Sequence, residues 1–226
     1  NMFKKFKARL VAGGHKQVAY DSYDPNYTSS PVLQAASLNS ILTLAAILDL
    51  ELDTADVKNA FLTASLDQKI WIKLPPYVNV MDGKLTMDNN VVCLQKALYG
   101  LIQSSLCFFN KMRTFMLNIG FTQSKEDPCL FTFTGEEGTA IVGLYVDDLL
   151  CASSGDFFKN FLLPKMQEHF PAGITYETAA QFLGTVITRD RAKREIYLSQ
   201  EARIAKLADQ FKIKETFKTP LDMPKA

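Results

Sequence analysis

Three aspartates stand where the sequence otherwise calls for apolar residues. Asp147 and Asp148 follow Tyr145 and Val146 and interrupt a run that reads as buried strand, with Ile141-Val142-Gly143-Leu144 before and Leu149-Leu150-Cys151 after. Asp56 is a third carboxylate on an apolar stretch, just ahead of Val57 and the pair Ala60-Phe61. Unpaired carboxylates beside a core are costly unless they sit at a hairpin tip, reach water or bind a cation that offsets their repulsion. Carboxylates on neighbouring strands can bridge two divalent cations roughly 4 Å apart, which together serve an in-line phosphoryl displacement. Magnesium suits that role because it prefers oxygen ligands and takes few protein carboxylates alongside substrate phosphates. On spacing alone, a pair of surface hairpin aspartates is the ordinary alternative.

The elements that must position these residues follow from periodicity. Lys7 to Ala12 reads as extended, Gly13-Gly14 breaks it, and a polar loop runs to Pro31. A helix capped by Ser37 is expected next, with Leu38, Ile41, Leu42, Ala45 and Leu48 on one face. A strand then leads into Asp56, and Ile70, Ile72 and Leu74 alternate up to Pro75-Pro76. Residues 79 to 90 read as a surface loop or hairpin. A second helix covers roughly Ser105 to Ile119, its stripe formed by Phe109, Met112, Met116 and Ile119, with Gly120 as its stop. Cys129 to Thr134, Thr139 to Val146 and Leu149 to Ala152 are expected strands, which puts residues 146 to 149 at a hairpin tip. An amphipathic helix over Phe157 to Met166, a hairpin of Phe182 to Thr188 with Glu195 to Leu198, and a closing helix capped by Ser199 complete the chain. Ile204, Leu207, Ala208 and Phe211 form the face of that last helix. Repeated hairpins without strict alternation favour an α+β fold over a doubly wound parallel sheet.

At 226 residues and 47% hydrophobic composition, the chain supports one large globular domain or two small ones and is not a disordered tail. A net charge of +1 points to no acidic partner, although Lys4, Lys5, Lys7, Arg9 and Lys16 crowd the start and Arg189, Arg191, Lys193 and Arg194 cluster late. Such clusters are read as solvated faces ahead of binding surfaces. Cys93, Cys107, Cys129 and Cys151 make no C-x-x-C pair and read as reduced core residues rather than metal ligands. No apolar run of membrane-spanning length and no signal-peptide pattern occurs, so an intracellular location without a membrane partner is expected. The abrupt ends suggest a piece of a longer polypeptide.

Tyr145-Val146-Asp147-Asp148 resembles the Y-x-D-D box of reverse transcriptases, and its neighbours resemble the polymerase of Ty1/copia-type LTR retrotransposons. Lys7-Ala8-Arg9-Leu10-Val11-Ala12-Gly13-Gly14-His15 is similar to that branch's finger segment, in the wording of a variant lineage. Ser29-Ser30-Pro31-Val32 is similar to its next box, and Asp56-Val57-Lys58-Asn59-Ala60-Phe61-Leu62 to its first catalytic motif. Lys96-Ala97-Leu98-Tyr99-Gly100-Leu101, Glu126-Asp127-Pro128-Cys129 and Phe182-Leu183-Gly184 follow in the family's order. The resemblance spans nearly the whole chain.

What it implies is an RNA-directed DNA polymerase with a right-hand palm and fingers, an antiparallel sheet carrying the Y-x-D-D hairpin, and helices packed on one face. Residues 1–50 would be a fingers-like segment, 51–190 the palm with a fingers insertion, and 191–226 the start of a thumb or connection. Asp56, Asp147 and Asp148 would be the catalytic carboxylates on two Mg²⁺ ions, with Mn²⁺ as a substitute and Asp148 the looser ligand. Phe61 would be the aromatic gate at the sugar 2′ position. Tyr99 and Gly100 would lie near the nucleotide, with Lys7 and Arg9 on the triphosphate or template backbone. Tyr145, Val146, Leu183 and Gly184 would face primer and template. The implied partners are deoxynucleoside triphosphates, an RNA or DNA template with a DNA primer, and RNase H and integrase regions of the same polyprotein. The implied location is a cytoplasmic virus-like particle.

The chain departs from the branch at Gln34 and Asn39, where many members carry Lys and Arg, and at Ile102-Gln103-Ser104-Ser105-Leu106, where they read K-Q-S-P-R. Each lost charge-assisted bond near a triphosphate is worth roughly 1.5–3 kcal/mol, so weaker nucleotide binding is expected. The alternative implied by these departures is a domesticated or decayed copy that grips nucleic acid, or serves as a structural module, without synthesis.

Overall fold

The computed structural model describes residues 9–75 and 91–213. Lys7 and the hairpin expected over 79 to 90 lie outside the described residues. In chain order the elements are α1 (Ala35–Ile47), β1 (Glu51–Val57), the short α2 (Ala60–Thr63), β2 (Trp71–Lys73), β3 (Val91–Cys93), α3 (Ser104–Asn118), β4 (Thr122–Gln123), β5 (Leu130–Gly135), β6 (Gly138–Tyr145) and β7 (Asp148–Ser153). A π-helical turn (Phe158–Leu162) then runs into α4 (Leu163–His169), followed by β8 (Ile174–Thr178), β9 (Gln181–Phe182), β10 (Thr185–Asp190), β11 (Glu195–Ser199) and α5 (Glu201–Gln210). Helices mixed with antiparallel sheet are the class the sequence pattern calls for.

The main sheet has the order β4-β5-β6-β7-β1-β8, with every neighbour antiparallel. Cross-strand partners project to the same face, so the register sorts the side chains. One face carries Asp56 opposite Asp148, Thr54 opposite Leu150, and Leu150 opposite Gly143. The other carries Asp53 opposite Cys151, Val142 opposite Cys151, and Val142 opposite Phe131. Helix α1 covers the first face beyond the carboxylates: a Cβ on Gly143 would lie 2.7 Å from a Leu33 methyl and 2.9 Å from one of Ile41. The opposite face is sealed by aromatic rings, with Phe133 packed at a tilt 5.2 Å from Phe121, 5.0 Å from Phe157 and 5.0 Å from Phe161. Covered on both sides, β7 is buried from Leu149 to Ser153, which is why its sequence is apolar without alternation. Each ring fully buried there contributes about 1.5–3 kcal/mol.

Helix α1 starts at Ala35, two residues before the expected Ser37 cap. The buried Asp127 accepts the Gln34 N–H at 2.9 Å and the Cys129 N–H at 2.9 Å, so a carboxylate distant in sequence ties off the helix start. Its far end is a left-handed turn at Asp49 (φ 53), with the Leu50 N–H returning to the Ala45 carbonyl at 3.1 Å. The buried stripe of α3 is Phe108, Met112, Phe115 and Met116: Met112 and Met116 fall where expected, while Phe108 and Phe115 take the place of Phe109 and Ile119, which are only partly buried. Ser199 does serve the start of α5, accepting the Glu201 N–H at 3.2 Å. The apolar face of α5 is not covered among the described residues: Ile204, Leu207 and Phe211 are exposed.

The late basic cluster is exposed at Arg191, Lys193 and Arg194, as a solvated face would be, but its arginines also make structural contacts. Arg189 on β10 donates to the carbonyls of Leu50 and Ala45, the latter at 2.8 Å, and to Asp49 at 2.8 Å. Arg191 pairs with Asp49 and Glu51, and Arg194 reaches the Ile47 carbonyl. Together they clamp the β9–β10–β11 sheet onto the turn between α1 and β1. The cysteines are free, and Cys129 and Cys151 are buried. Burial pushes the Cys129 thiol up to about 12, which keeps it protonated.

Candidate active site

The carboxylates are placed by pairing. Asp56 and Asp148 are direct partners across β1 and β7, and Asp148 is also the partner of Tyr145 across the hairpin. Val146 and Asp147 are therefore the two loop residues of a tight β6–β7 turn. Val146 carries a φ of 59, an outlier for a β-branched side chain that stores strain of order 1–3 kcal/mol. The turn is fastened to β1 by the Val57 N–H, 3.4 Å from the Asp147 carbonyl. All four residues of the box are partly buried. The Asp148 carboxyl is raised above its ordinary range by burial first, then by the negative charge of Asp147 and of Asp56. Adjoining like charges of this kind favour a proton or a cation between them.

A cleft of about 370 Å³ opens at this point, lined by Thr54, Asp56 and Asp148 on one side and by Gln181, Phe182, Leu183 and Gly184 on the other. Leu183 (φ 50) and Gly184 (φ 76) form the left-handed turn between β9 and β10, and the clamp at Arg189 holds β10 in place. The structure thus brings Asp56, Asp148, Leu183 and Gly184 around one space, with Asp147 at the adjacent turn. Among the described residues, no group of three His, Cys, Asp or Glu side chains is arranged to hold a metal ion by itself. The donor set is all oxygen, and its pooled negative charge matches a hard divalent cation that completes its shell with other oxygens.

A second group converges beside the first motif. Asn59, in the left-handed conformation (φ 52), turns the chain from β1 into α2 and presents Phe61. The Phe61 ring lies 4.9 Å from that of Tyr99 and 6.4 Å from that of Phe108. The Arg9 guanidinium sits 5.3 Å over the Tyr99 ring, a cation–π contact. Gly100 (φ 90) lies under the N-terminal segment: the Ala12 N–H donates to the Tyr99 carbonyl at 2.7 Å, and a Cβ on Gly14 would sit 2.0 Å from the Gly100 carbonyl oxygen. No residue with a side chain fits at position 14 without moving that backbone.

Two residues absent from the expected site lock this second group. Gln17 accepts the Ile102 N–H at 2.8 Å and donates to Gln103 Oε1 at 3.0 Å, while the buried Gln103 donates to the Ser22 carbonyl at 2.9 Å. A glutamine in an apolar approach to a helix was the available signal, but its partner lies 86 residues away. Gln34, one of the positions where many members of the branch carry a cation, is engaged structurally, its side-chain amide donating to the Glu126 carbonyl at 3.1 Å.

The fold and the site define a cleft lined by carboxylates at the edge of an antiparallel sheet, and comparison with known proteins gives the family. The profile described as "Reverse transcriptase (RNA-dependent DNA polymerase)" matches residues 2–224, and the chain belongs to that family, in its Ty1/copia-type branch. It is 35% identical over 96% of its length to the Retrovirus-related Pol polyprotein from transposon TNT 1-94 of Nicotiana tabacum, covering 16% of that protein. It is 32% identical over 90% of its length to the corresponding polyprotein from transposon RE1 of Arabidopsis thaliana, covering 13% of it. It is 29% identical over 65% of its length to the Transposon Ty1-ER2 Gag-Pol polyprotein of Saccharomyces cerevisiae, covering 8% of it. The chain thus spans about a sixth or less of the length of these relatives. No described helix is long and apolar enough to cross a membrane.

Proposed function

We propose that this chain is the polymerising part of a copia-type Pol polyprotein: an RNA-directed DNA polymerase whose palm is residues 51–190 with a fingers insertion, preceded by a fingers-like segment over 1–50 and followed by the start of a thumb or connection over 191–226. The observation that carries the reading is the pairing of Asp56 with Asp148 across β1 and β7, with Asp147 at the adjoining turn. Asp56, Asp147 and Asp148 would hold two Mg²⁺ ions, or Mn²⁺ in their place, completed by oxygens of the substrate phosphates. When bound, such ions offset charge on the attacking and leaving oxygens of the displacement.

The remaining work belongs to the chain's own residues. A primer 3′-hydroxyl attacks the α-phosphate of a deoxynucleoside triphosphate and pyrophosphate leaves, a reaction that needs positioning and charge stabilisation rather than a protein nucleophile. Leu183-Gly184, on the cleft wall, and Tyr145-Val146, in the hairpin that carries Asp148, would hold the primer terminus and template. Phe61, backed by Tyr99 and Phe108, would close on the sugar 2′ position, with Tyr99 and Gly100 beside the base. Lys7 and Arg9 would serve the phosphates. RNase H and integrase regions of the same polyprotein, and a cytoplasmic particle, belong to this reading as its context.

The test is primer extension on RNA and DNA templates with Mg²⁺ or Mn²⁺. Asp147→Asn is expected to lower incorporation by at least about 10²–10³-fold while leaving the circular dichroism spectrum unchanged. Phe61→Ala is expected to relax discrimination against ribonucleotides by roughly 10- to 200-fold; an unaltered sugar preference removes the gate from Phe61. The second reading, a non-catalytic grip on nucleic acid, draws on Gln34 being tied to Glu126 in place of a free cation. It predicts salt-dependent binding with no metal-dependent extension by the parent protein.

A further inference from the structure

The strand β2 presents an arrangement that the carboxylate cleft does not use. Lys69-Ile70-Trp71-Ile72-Lys73 alternates strictly: Ile70 and Ile72 turn inward onto Leu98 and Leu101, while Lys69, Trp71 and Lys73 turn outward. Trp71, the only tryptophan of the chain, is 65% exposed. An indole left in water on a regular strand forfeits the burial its ring would otherwise gain. Lys73 stands about 7 Å from it along the strand, and Lys69 is exposed two residues before it, in the segment that leads into β2.

This face forms one wall of a groove of about 610 Å³ whose other wall is the N-terminal segment, including Gly13, Lys16, Gln17 and Asp21. The groove shares no lining residue with the carboxylate cleft. Three lysines against one aspartate give it a positive balance. An apolar protein segment seated here would leave the ammonium groups without partners, and the concave shape does not match a flat lipid surface. A polyanion with flat faces between its charges satisfies both the ring and the cations.

We propose that this groove binds an unpaired nucleic-acid strand, with a base stacked on Trp71 and the flanking phosphates met by Lys69, Lys73 and Lys16. The site tolerates any base sequence, because stacking and phosphate contact carry no base code. It deepens the polymerase reading by assigning a route for unpaired strand outside the cleft, and it stands or falls separately from catalysis.

The single tryptophan makes the test direct. The protein is titrated with an oligothymidylate of about ten nucleotides while tryptophan emission is followed, and binding of the same strand carrying a fluorescent label is followed by anisotropy. Saturable quenching that tracks the anisotropy is expected, with a blunt duplex much weaker than a duplex bearing a single-stranded overhang. Trp71→Ala is expected to weaken the labelled strand roughly 5- to 150-fold, and Trp71→Phe to restore part of the loss. Replacing Lys69 and Lys73 by Gln is expected to reduce the slope of log affinity against log salt by about 1.4. Strand binding that leaves the tryptophan emission unchanged, equal affinity for blunt and overhanging duplex, quenching by anionic vesicles but not by the strand, or no binding at all would overturn the proposal. Asp147→Asn is expected to keep the quenching whatever it does to extension, which separates failure of this site from failure of the polymerase reading.

Discussion

At the scale of single residues, the chain places carboxylates under unequal penalties. Asp148 is held up by burial and by two neighbouring charges at a cleft open to substrate. Asp53 is a different case: it is buried on the opposite face of β1, opposite Cys151, and only Lys159 among its charged neighbours favours its ionised form. Burial raises its carboxyl above the ordinary value of 3.8, Lys159 lowers it, and Glu51 and Asp156 add to the rise. Between the ordinary and the raised value, the folded chain binds more protons than the unfolded one, so this group's contribution to stability falls as pH rises through that window. Above the window the full penalty applies, and below 3.8 it vanishes. Asp53→Asn removes the charge at nearly constant shape. It is expected to stabilise the protein at neutral pH by about 0.5–2 kcal/mol, with the two urea unfolding midpoints converging as the solution is acidified. A variant less stable than the parent at neutral pH would mean that the Lys159 interaction outweighs burial.

At the scale of elements, the clamp from β10 decides where the Leu183-Gly184 turn stands relative to Asp56 and Asp148. Arg189 is largely enclosed, its side chain 14% exposed, and it answers two carbonyls and one carboxylate at the end of α1. Hydrogen bonds to a charged donor contribute roughly 1.5–3 kcal/mol each, and their loss strands the acceptors. Arg189→Ala is expected to cost about 2–4 kcal/mol in urea denaturation. Arg189→Lys is expected to recover less than half, because a single ammonium cannot fork between the three acceptors. A cost below about 0.5 kcal/mol would show that the β9–β10–β11 sheet is held by its apolar contacts alone.

This clamp also marks where the sequence stopped being legible. The longer helices, the strand leading into Asp56 and the β6–β7 hairpin around Tyr145 to Asp148 followed from apolar period, because those signals are local, whereas the short α2, β3, β4 and β8 and the break between β9 and β10 at Leu183-Gly184 did not. The start of α1 did not, because its anchor, Asp127, comes from another part of the chain. The structural contacts of Arg189, Arg191 and Arg194 were not legible for the same reason, since their acceptors are carbonyls and carboxylates around the α1–β1 turn about 140 residues earlier. Gln17 and Gln103 were invisible as a pair, although each is an ordinary polar residue in a loop or at a helix start. The carboxylates themselves stood out because a charge within an apolar strand breaks the pattern that everything around it obeys.

At the scale of the whole molecule, stability is concentrated unevenly, and the site borrows from the strongest part. Strands β6 and β7 are covered on one face by α1 and on the other by the rings of Phe133, Phe157 and Phe161, so the Asp147 turn projects from the most deeply buried hairpin. At the other extreme, α5 has no buried residue, and Ile204, Leu207 and Phe211 face outward. A helix of ten residues gains little from its own hydrogen bonds in water and depends on tertiary packing. Amide exchange should therefore separate the two. Amides of β6 and β7 are expected to open only with global unfolding, at about 5–15 kcal/mol. Those of α5 are expected to exchange through local opening at about 1 kcal/mol or less. Urea should lower the first opening energy steeply and leave the second nearly flat, since local opening exposes little new surface. Protection of α5 equal to that of β7, with the same urea dependence, would mean that its apolar face is covered in solution and that helix and sheet unfold as one unit.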